Sequence, residues 1–287
     1  MSNNIIVDKN EAFLSIDKDV YTFHNLSDEL RADKDIALTA VSKNGNLLEI
    51  LTDELKNDFD VVLTAIKQNP HSLEYASNAM KSNEKVVSFA CLMNPYAIAE
   101  ASFKLKNDKK IMLACVSEIG QTLLYASDRL KNDKEIVLAA VKQDGYALEF
   151  ASSELKKNYN IVLAAIKNDP FSLKYASDEL KNNEEIALAA ISNAGRSITF
   201  ISERLKDDKN IILAALNQTK NALELAPLKF QNNKEMLEIY FDNFSIEQAV
   251  NQNFYRQCEE NLKILIEHEY LDKHINYNQV KIKPKKF

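Results

Sequence analysis

The sequence predicts an all-α fold, an α-solenoid of about nine 25-residue αα-hairpin repeats with a degenerate C-terminal cap. Three observations predict it: the chain repeats itself every 25 residues, apolar positions inside each repeat recur at helical spacing, and the composition is poor in sheet-forming turn residues. Among 287 residues there are 4 Gly, 5 Pro and no Trp, whereas a chain of short strands needs Gly, Pro or Asn turns at intervals of about ten residues.

Written in rows of 25 from Leu26, one row reads ASDRLKNDKEIVLAAVKQDGYALEF (126–150) and the next ASSELKKNYNIVLAAIKNDPFSLKY (151–175). The register runs without insertion from Leu26 to about Leu225, and a partial row before Leu26 fits the same columns. Columns 11, 12, 15 and 16 are apolar (Ile136, Val137, Ala140 and Val141 in one row), the i, i+4 stripe of a helix facing a core. The small residues of columns 14 and 15 predict close approach of a neighbouring helix. Column 8 is always Asp or Asn, as at Asp133 and Asn158, just before the stripe, where a side-chain oxygen caps free backbone N–H groups. Column 20 is Gly or Pro in most rows and predicts the stop of this first helix. A second helix is expected from about column 21 to column 5 or 6 of the next row. Its Ser or Thr at column 2 (Ser127, Ser152, Ser177) either bonds back within that helix or caps a short turn that ends it.

One hairpin cannot bury its own apolar face, so the rows must stack. The expected organisation is a partial N-terminal repeat or cap at 1–25, eight hairpins at 26–225, a degenerate repeat and capping helix at 226–270, and a basic tail at 271–287. In 226–270 the apolar pattern is expected to shift around Met236, Leu237, Tyr240 and Phe241, and 254–268 reads as a final helix.

The runs LKNDKEIVLAAVKQDGYALEFAS (130–152) and LKKNYNIVLAAIKNDPFSLKYAS (155–177) resemble the helical repeats known as domain of unknown function 4116. The likeness covers most of the chain. It implies the same helical fold, in a family found in host-associated bacteria and giant viruses and without a general activity. A role at a host interface, effector-like or as an adaptor, is what the resemblance adds.

A longer period overlies the first. Column 9 reads Lys34, Phe59, Glu84, Lys109, then Lys134, Tyr159, Glu184, Lys209, the same order twice. It points to duplication of a four-hairpin block, 26–125 giving 126–225.

No Gly-rich phosphate loop, CxxC, HExxH or GxSxG is present. No catalytic, cofactor-binding or metal-binding residue is assigned, and the chain is expected not to be an enzyme. His268 and His274 are six apart, on different faces of a helix. Cys91 and Cys115 fall in core columns and read as small buried hydrophobes, with no close sequence pair for a disulfide. A formal net charge of −6 argues against a general affinity for nucleic acid. The alternative rests on a ladder of column-6 lysines, Lys56 to Lys206, which reads as mixed surface charge or as a phosphate-binding stripe.

One row departs from its neighbours. Leu92 and Met93 occupy columns 17 and 18, polar elsewhere; Phe89 and Phe103 replace mostly small or polar residues, and Tyr96 stands beside them. Clustered apolar residues on polar positions suggest an interaction surface; the alternative is a rotated helix that buries Leu92 and Met93. The expected function is therefore a non-catalytic protein-binding scaffold with an extended surface, with a protein partner or a second copy bound, and no membrane span. The expected location is the cytoplasm, or a host cytosol reached by a non-classical route.

Overall fold

The computed structural model describes residues 5–241. The chain divides into two compact units, Met1–Tyr175 and Ala176–Phe287, and both are built from the same row. Among the described residues there is no strand; one isolated bridge joins Ile6 and Leu26.

Each row contains three helical pieces, not two. A ten-residue α-helix occupies columns 9–18, as at Lys134–Gln143. A six-residue 3-10 helix follows at columns 20–25, as at Gly145–Phe150. A one-turn α-helix then fills columns 3–6, as at Asp128–Lys131; in the row from Ala151 it is a 3-10 turn, Leu155–Lys157. The expected second helix is thus interrupted at columns 1 and 2, where Ala126 and Ser127 are extended. Two hydrogen bonds explain the break. The Ser127 N–H donates to the Lys106 carbonyl of the preceding row at 3.2 Å, so it is lost to any continuing helix. The Ser127 hydroxyl accepts the Leu130 N–H at 3.3 Å, which decides between the two readings of column 2: it caps the short helix.

The 3-10 form has a geometric use. With a rise of roughly 2.0 Å per residue it spans about 12 Å in six residues, nearly the length of a ten-residue α-helix at about 15 Å. A 25-residue row can therefore run out and back. It starts on a cap at column 19, where Asp144 Oδ1 accepts the Tyr146 N–H at 2.9 Å.

Column 8 caps the long helix as expected. Asp133 Oδ1 accepts from the N–H groups of Glu135 and Ile136 at 3.0 and 3.2 Å, and Asn158 does the same for Ile161. Columns 11, 12, 15 and 16 form the core with columns 22 and 23: Ile136, Val137, Ala140, Val141, Ala147 and Leu148 are all fully buried.

Column 20 does something other than stop the helix, which ends at column 18 before an extended residue. Gly145 opens the 3-10 helix, and a Cβ built on it would lie 2.6 Å from the Ala165 carbonyl oxygen of the next row. The glycine is there for close approach of two backbones. Its N–H donates to Asn168 Oδ1 at 2.7 Å, as Gly45 does to Gln68 and Gly120 to Gln143.

The N-terminal row follows the columns with helices at Lys9–Lys18 and Val20–Asn25. Ile6 takes the part of the column-6 lysine, its carbonyl accepting the Ser27 N–H. At the other end the register does not shift. Leu228–Gln231 and Lys234–Phe241 are the expected short and long helices, and Met236 and Tyr240 are buried at columns 11 and 15. The change is a large Tyr where the eight rows from Leu26 have Ala or, at Cys115, Cys. The expected helix at 254–268 and the tail at 271–287 lie outside the described residues.

Replacing Gly145 with Ala should force adjacent backbones apart and cost roughly 1–3 kcal/mol, the usual range for overpacking. Chemical denaturation of the full chain measures it; an unchanged midpoint would show that the two rows are not in tight contact there.

Candidate protein-binding surface

Successive residues of an α-helix turn by about 100°, so a helix that buries columns 11, 12, 15 and 16 turns columns 10, 13, 14 and 17 outward. Column 13 is Leu in seven of the eight rows from Leu26, a regularity at a position that packing does not require. In the first unit Leu38, Leu63, Leu113, Leu138 and Leu163 are half-exposed; in the second, Leu188 is exposed and Leu213 half-exposed. The small residues of column 14, among them Ala139 and Ala164, lie on this outer face too. The expected close helix contact therefore belongs to column 15 alone, where Ala140 and Ala165 are fully buried. Large leucines beside small alanines leave shallow grooves. In the first unit Leu138, Lys142, Leu163, Ala164 and Lys167 border one of ≈ 510 Å³. In the second, Leu188, Ala189, Ser192 and Ala214 border one of ≈ 470 Å³.

The apolar residues singled out in row 76–100 join this face in part. The helix Glu84–Met93 is not rotated: Val86, Val87, Ala90 and Cys91 are its buried residues, while Leu92 and Met93 are 81% and 49% exposed. Ser88 replaces the column-13 Leu there, and Phe89 and Leu92 stand on the same outward face at columns 14 and 17. The apolar stripe shifts by one position and continues. Tyr96 is half-buried at the start of the next 3-10 helix, near the end of the helix that carries Met93. Phe103 is 75% exposed but elsewhere. It opens a short helix reached after the 3-10 helix has run back, beside Lys81, whose carbonyl accepts the Ser102 N–H. The structure thus gathers Phe89, Leu92, Met93 and Tyr96 toward one end of the row and places Phe103 at the other.

Met93 has a structural licence of its own. Column 18 supplies the Gln or Asn that receives the N–H of the preceding row's column-20 glycine. The residue preceding Met93 in that relation is Pro70, which has no N–H to satisfy. An apolar side chain costs nothing there.

Charged columns hold rows in register. Lys109 Nζ lies 2.8 Å from Asp133 and 2.9 Å from Glu135 of the next row; Lys34 bridges Asp58 and Asp60, and Lys9 bridges Asp33 and Asp35, in the same way. Burial works against the Asp133 carboxylate, but the Lys109 ammonium and the helix N–H groups outweigh it and hold its pKa below the ordinary 3.8. The hydrogen bonds that Lys109 donates to Asp133 and then to Glu135 hold its pKa above 10.5. The column-6 lysines are half-buried, and several are engaged: Lys206 with Glu203, Lys181 with Asp178, Lys156 with the Glu149 carbonyl.

Cys91 and Cys115, 24 residues apart, meet on facing helices as free thiols, both buried. The hydrogen bond between the two thiols, with burial, pushes Cys91 far up and holds Cys115 below the ordinary thiol value; burial of both, at 8% and 1% exposure, is what withholds them from a reactant. Among the described residues no three of His, Cys, Asp and Glu gather as a metal site, and no helix is long and apolar enough to cross a membrane. His71 pairs with Asn94; His268 and His274 lie outside the described residues.

The profile of the family described as domain of unknown function (DUF4116) matches five times, at 8–54, 33–81, 108–156, 158–206 and 185–231. The chain belongs to the DUF4116 family. Four of the five matches begin at column 8, the residue that caps a long helix, so one DUF4116 unit corresponds to about two rows. No curated protein and no solved structure matches the chain.

Two outcomes are expected. Because Asp33, Asp58 and Asp133 have lowered pKa values, the stability they add is complete above the ordinary carboxylate value and is lost as pH falls through the folded values, below about pH 4. The melting temperature should drop in that window, and Asp133→Asn, which keeps the capping oxygen, should drop less steeply. An identical acid profile would mean that Asp133 gains nothing from Lys109. Cys91 and Cys115 should resist alkylation in the folded chain and react on unfolding, read by peptide mass spectrometry; fast labelling of Cys91 in the native chain would contradict its burial.

Proposed function

We propose that this protein is a non-catalytic protein-binding scaffold that uses the outward face of its ten-residue helices. One observation carries the reading. A stripe of half-exposed apolar residues, Leu38, Leu63, Phe89 with Leu92, Leu113, Leu138 and Leu163, recurs once per row in the first unit, on positions that the core does not need. Water-exposed leucines that recur in register are costly as a surface and useful as a row of anchors. Packed helices lie roughly 8–10 Å apart, so a partner segment would present one apolar side chain per row at about that spacing. Lys142, Lys167 and Asn168 rim the groove and supply polar contacts.

Leu92, Met93, Tyr96 and Phe89 extend the anchor row in this reading, with Phe103 as a separate apolar contact. The paired free thiols support a reducing compartment, a cytosol or a host cytosol after delivery. The family's occurrence in host-associated bacteria and giant viruses favours a partner at a host interface. Half-buried, partly paired lysines at column 6 argue against the nucleic-acid alternative, which needs free ammonium groups for phosphate.

The variant Leu138→Ser/Leu163→Ser, using the residue found in this column at Ser88, should fold as the wild type. It should lose most of the proteins captured by the wild type from its native source, with each true anchor worth about 2 kcal/mol or more. Sedimentation of the wild type tests a second copy as the occupant. Equal capture by the variant, or a salt-dependent gel shift with nucleic acid in place of protein capture, would overturn the proposal.

A further inference from the structure

The 3-10 helices carry a second face, made of columns 21, 24 and 25, while columns 22 and 23 are buried. Column 25 is apolar or aromatic in most rows but does not join columns 22 and 23 in the core. It forms instead a half-exposed aromatic ladder, including Tyr75, Tyr125, Phe150 and Tyr175 in the first unit. At Tyr175 this face holds a cation. Lys174 Nζ sits 4.4 Å from the Tyr175 ring centroid and 5.0 Å from that of Tyr146, and the two rings meet edge-to-face at 5.9 Å. The Glu149 carboxylate lies near the Tyr175 hydroxyl and the Lys174 ammonium and adds its charge to the same place. A lysine ammonium over ring faces beside a carboxylate is a favourable arrangement.

One hundred residues earlier the same places hold Glu49, Glu74 and Tyr75, with Asn46 where the Tyr146 ring stands. The ring and the first carboxylate are kept, and the lysine has become a second carboxylate. Both glutamates are exposed, and neither has an ion-pair partner among the described residues. Burial first, and then the charges of Glu49 and Glu74, keep the Tyr75 hydroxyl protonated above the ordinary tyrosine value. Across columns 21, 24 and 25 of the rows 26–100 stand Glu49, Glu74 and Glu100 and no Lys or Arg. The built-in cation of one repeat is missing from the other, and the local charge is reversed to suit one from outside.

We propose that Tyr75, Glu49 and Glu74 form a subsite for a Lys or Arg side chain of a basic partner segment, in the place that Lys174 fills from within the chain at Tyr175. The subsite lies on the 3-10 face, apart from the leucine stripe, and does not depend on the function proposed for that stripe.

Fluorescein-labelled hexa-arginine provides the probe, with anisotropy read against the full chain at low and physiological salt and hexaglutamate as the control. The wild type should bind hexa-arginine and not hexaglutamate. Glu74→Lys, which copies the Lys174 arrangement, should weaken binding about five- to tenfold, a change consistent with loss of one cation–π and one ion-pair contact. Glu54→Lys makes the same charge change on the short-helix edge and should have little effect. Lys174→Glu should open a second subsite and raise the stoichiometry, and this gain decides the matter if Glu74→Lys does not fold by circular dichroism. Leu138→Ser/Leu163→Ser should bind the probe as the wild type, so failure of the leucine reading and of this one are told apart. No wild-type binding, equal weakening by Glu54→Lys, or no gain from Lys174→Glu would each overturn the proposal.

Discussion

Within each unit the structure depends on how closely one row's backbone approaches the next. The carbonyl oxygen of column 15 stands 2.4–2.6 Å from where a Cβ on the preceding row's column-20 glycine would be, at Gly45, Gly120, Gly145 and Gly195 alike. That approach is possible only because column 15 of the facing row is Ala and column 20 is Gly. It brings the glycine N–H within reach of a column-18 amide, so steric fit and hydrogen bonding fix the same register. At the opposite edge the column-2 N–H bonds the column-6 carbonyl of the row before. The rows that meet at Gly120 and Ser127, and those that meet at Gly145 and Ser152, are thus pinned at both edges while their apolar faces close between them, and a hairpin with no core of its own becomes part of one.

Proline rows use a different junction. Pro70 and Pro95 have a Cβ and no N–H, and they are half-buried where the glycines of this column are buried. The next rows carry Met93 and Glu118 at column 18, in place of the Gln or Asn seen opposite glycine, while the row after Pro170 keeps Asn193. A proline removes the donor and with it the demand for an acceptor. Column 18 is then free to vary.

The period, the helical class and the Asp/Asn caps were legible because each is a local property: a cap needs only the three residues after it. The three-piece row was not legible, because the break at Ser127 is made by Lys106, 21 residues back. A 3-10 helix turns by about 120° per residue, so a stripe drawn for an α-helix does not place Tyr75 and Tyr175 of column 25 on the half-exposed face where they stand. The meeting of Cys91 with Cys115 follows from stacking and shows only when column 16 is compared with column 15 of the next row. The leucines of column 13 were in view throughout; their regularity at an outward angle was the signal.

These cases bear on how a departure from a repeat pattern is to be interpreted. Columns 11, 12, 15, 16, 22 and 23 are tied by packing, and columns 8, 18, 19 and 20 by hydrogen bonds, so change there is constrained by the neighbouring row. Met93 departs from its column, yet Pro70 accounts for it. Leu92 departs where no neighbour's need explains it, beside Ser88, which gives up the leucine that other rows carry. Glu74 departs from its counterpart Lys174 with no compensating basic residue at columns 21, 24 or 25 of the rows around it. A departure compensated inside the chain is architecture; one left uncompensated on an outward column calls for its complement on another molecule. By that criterion Leu92 and the acid-flanked ring of Tyr75 are the two departures that the proposed partners would complete.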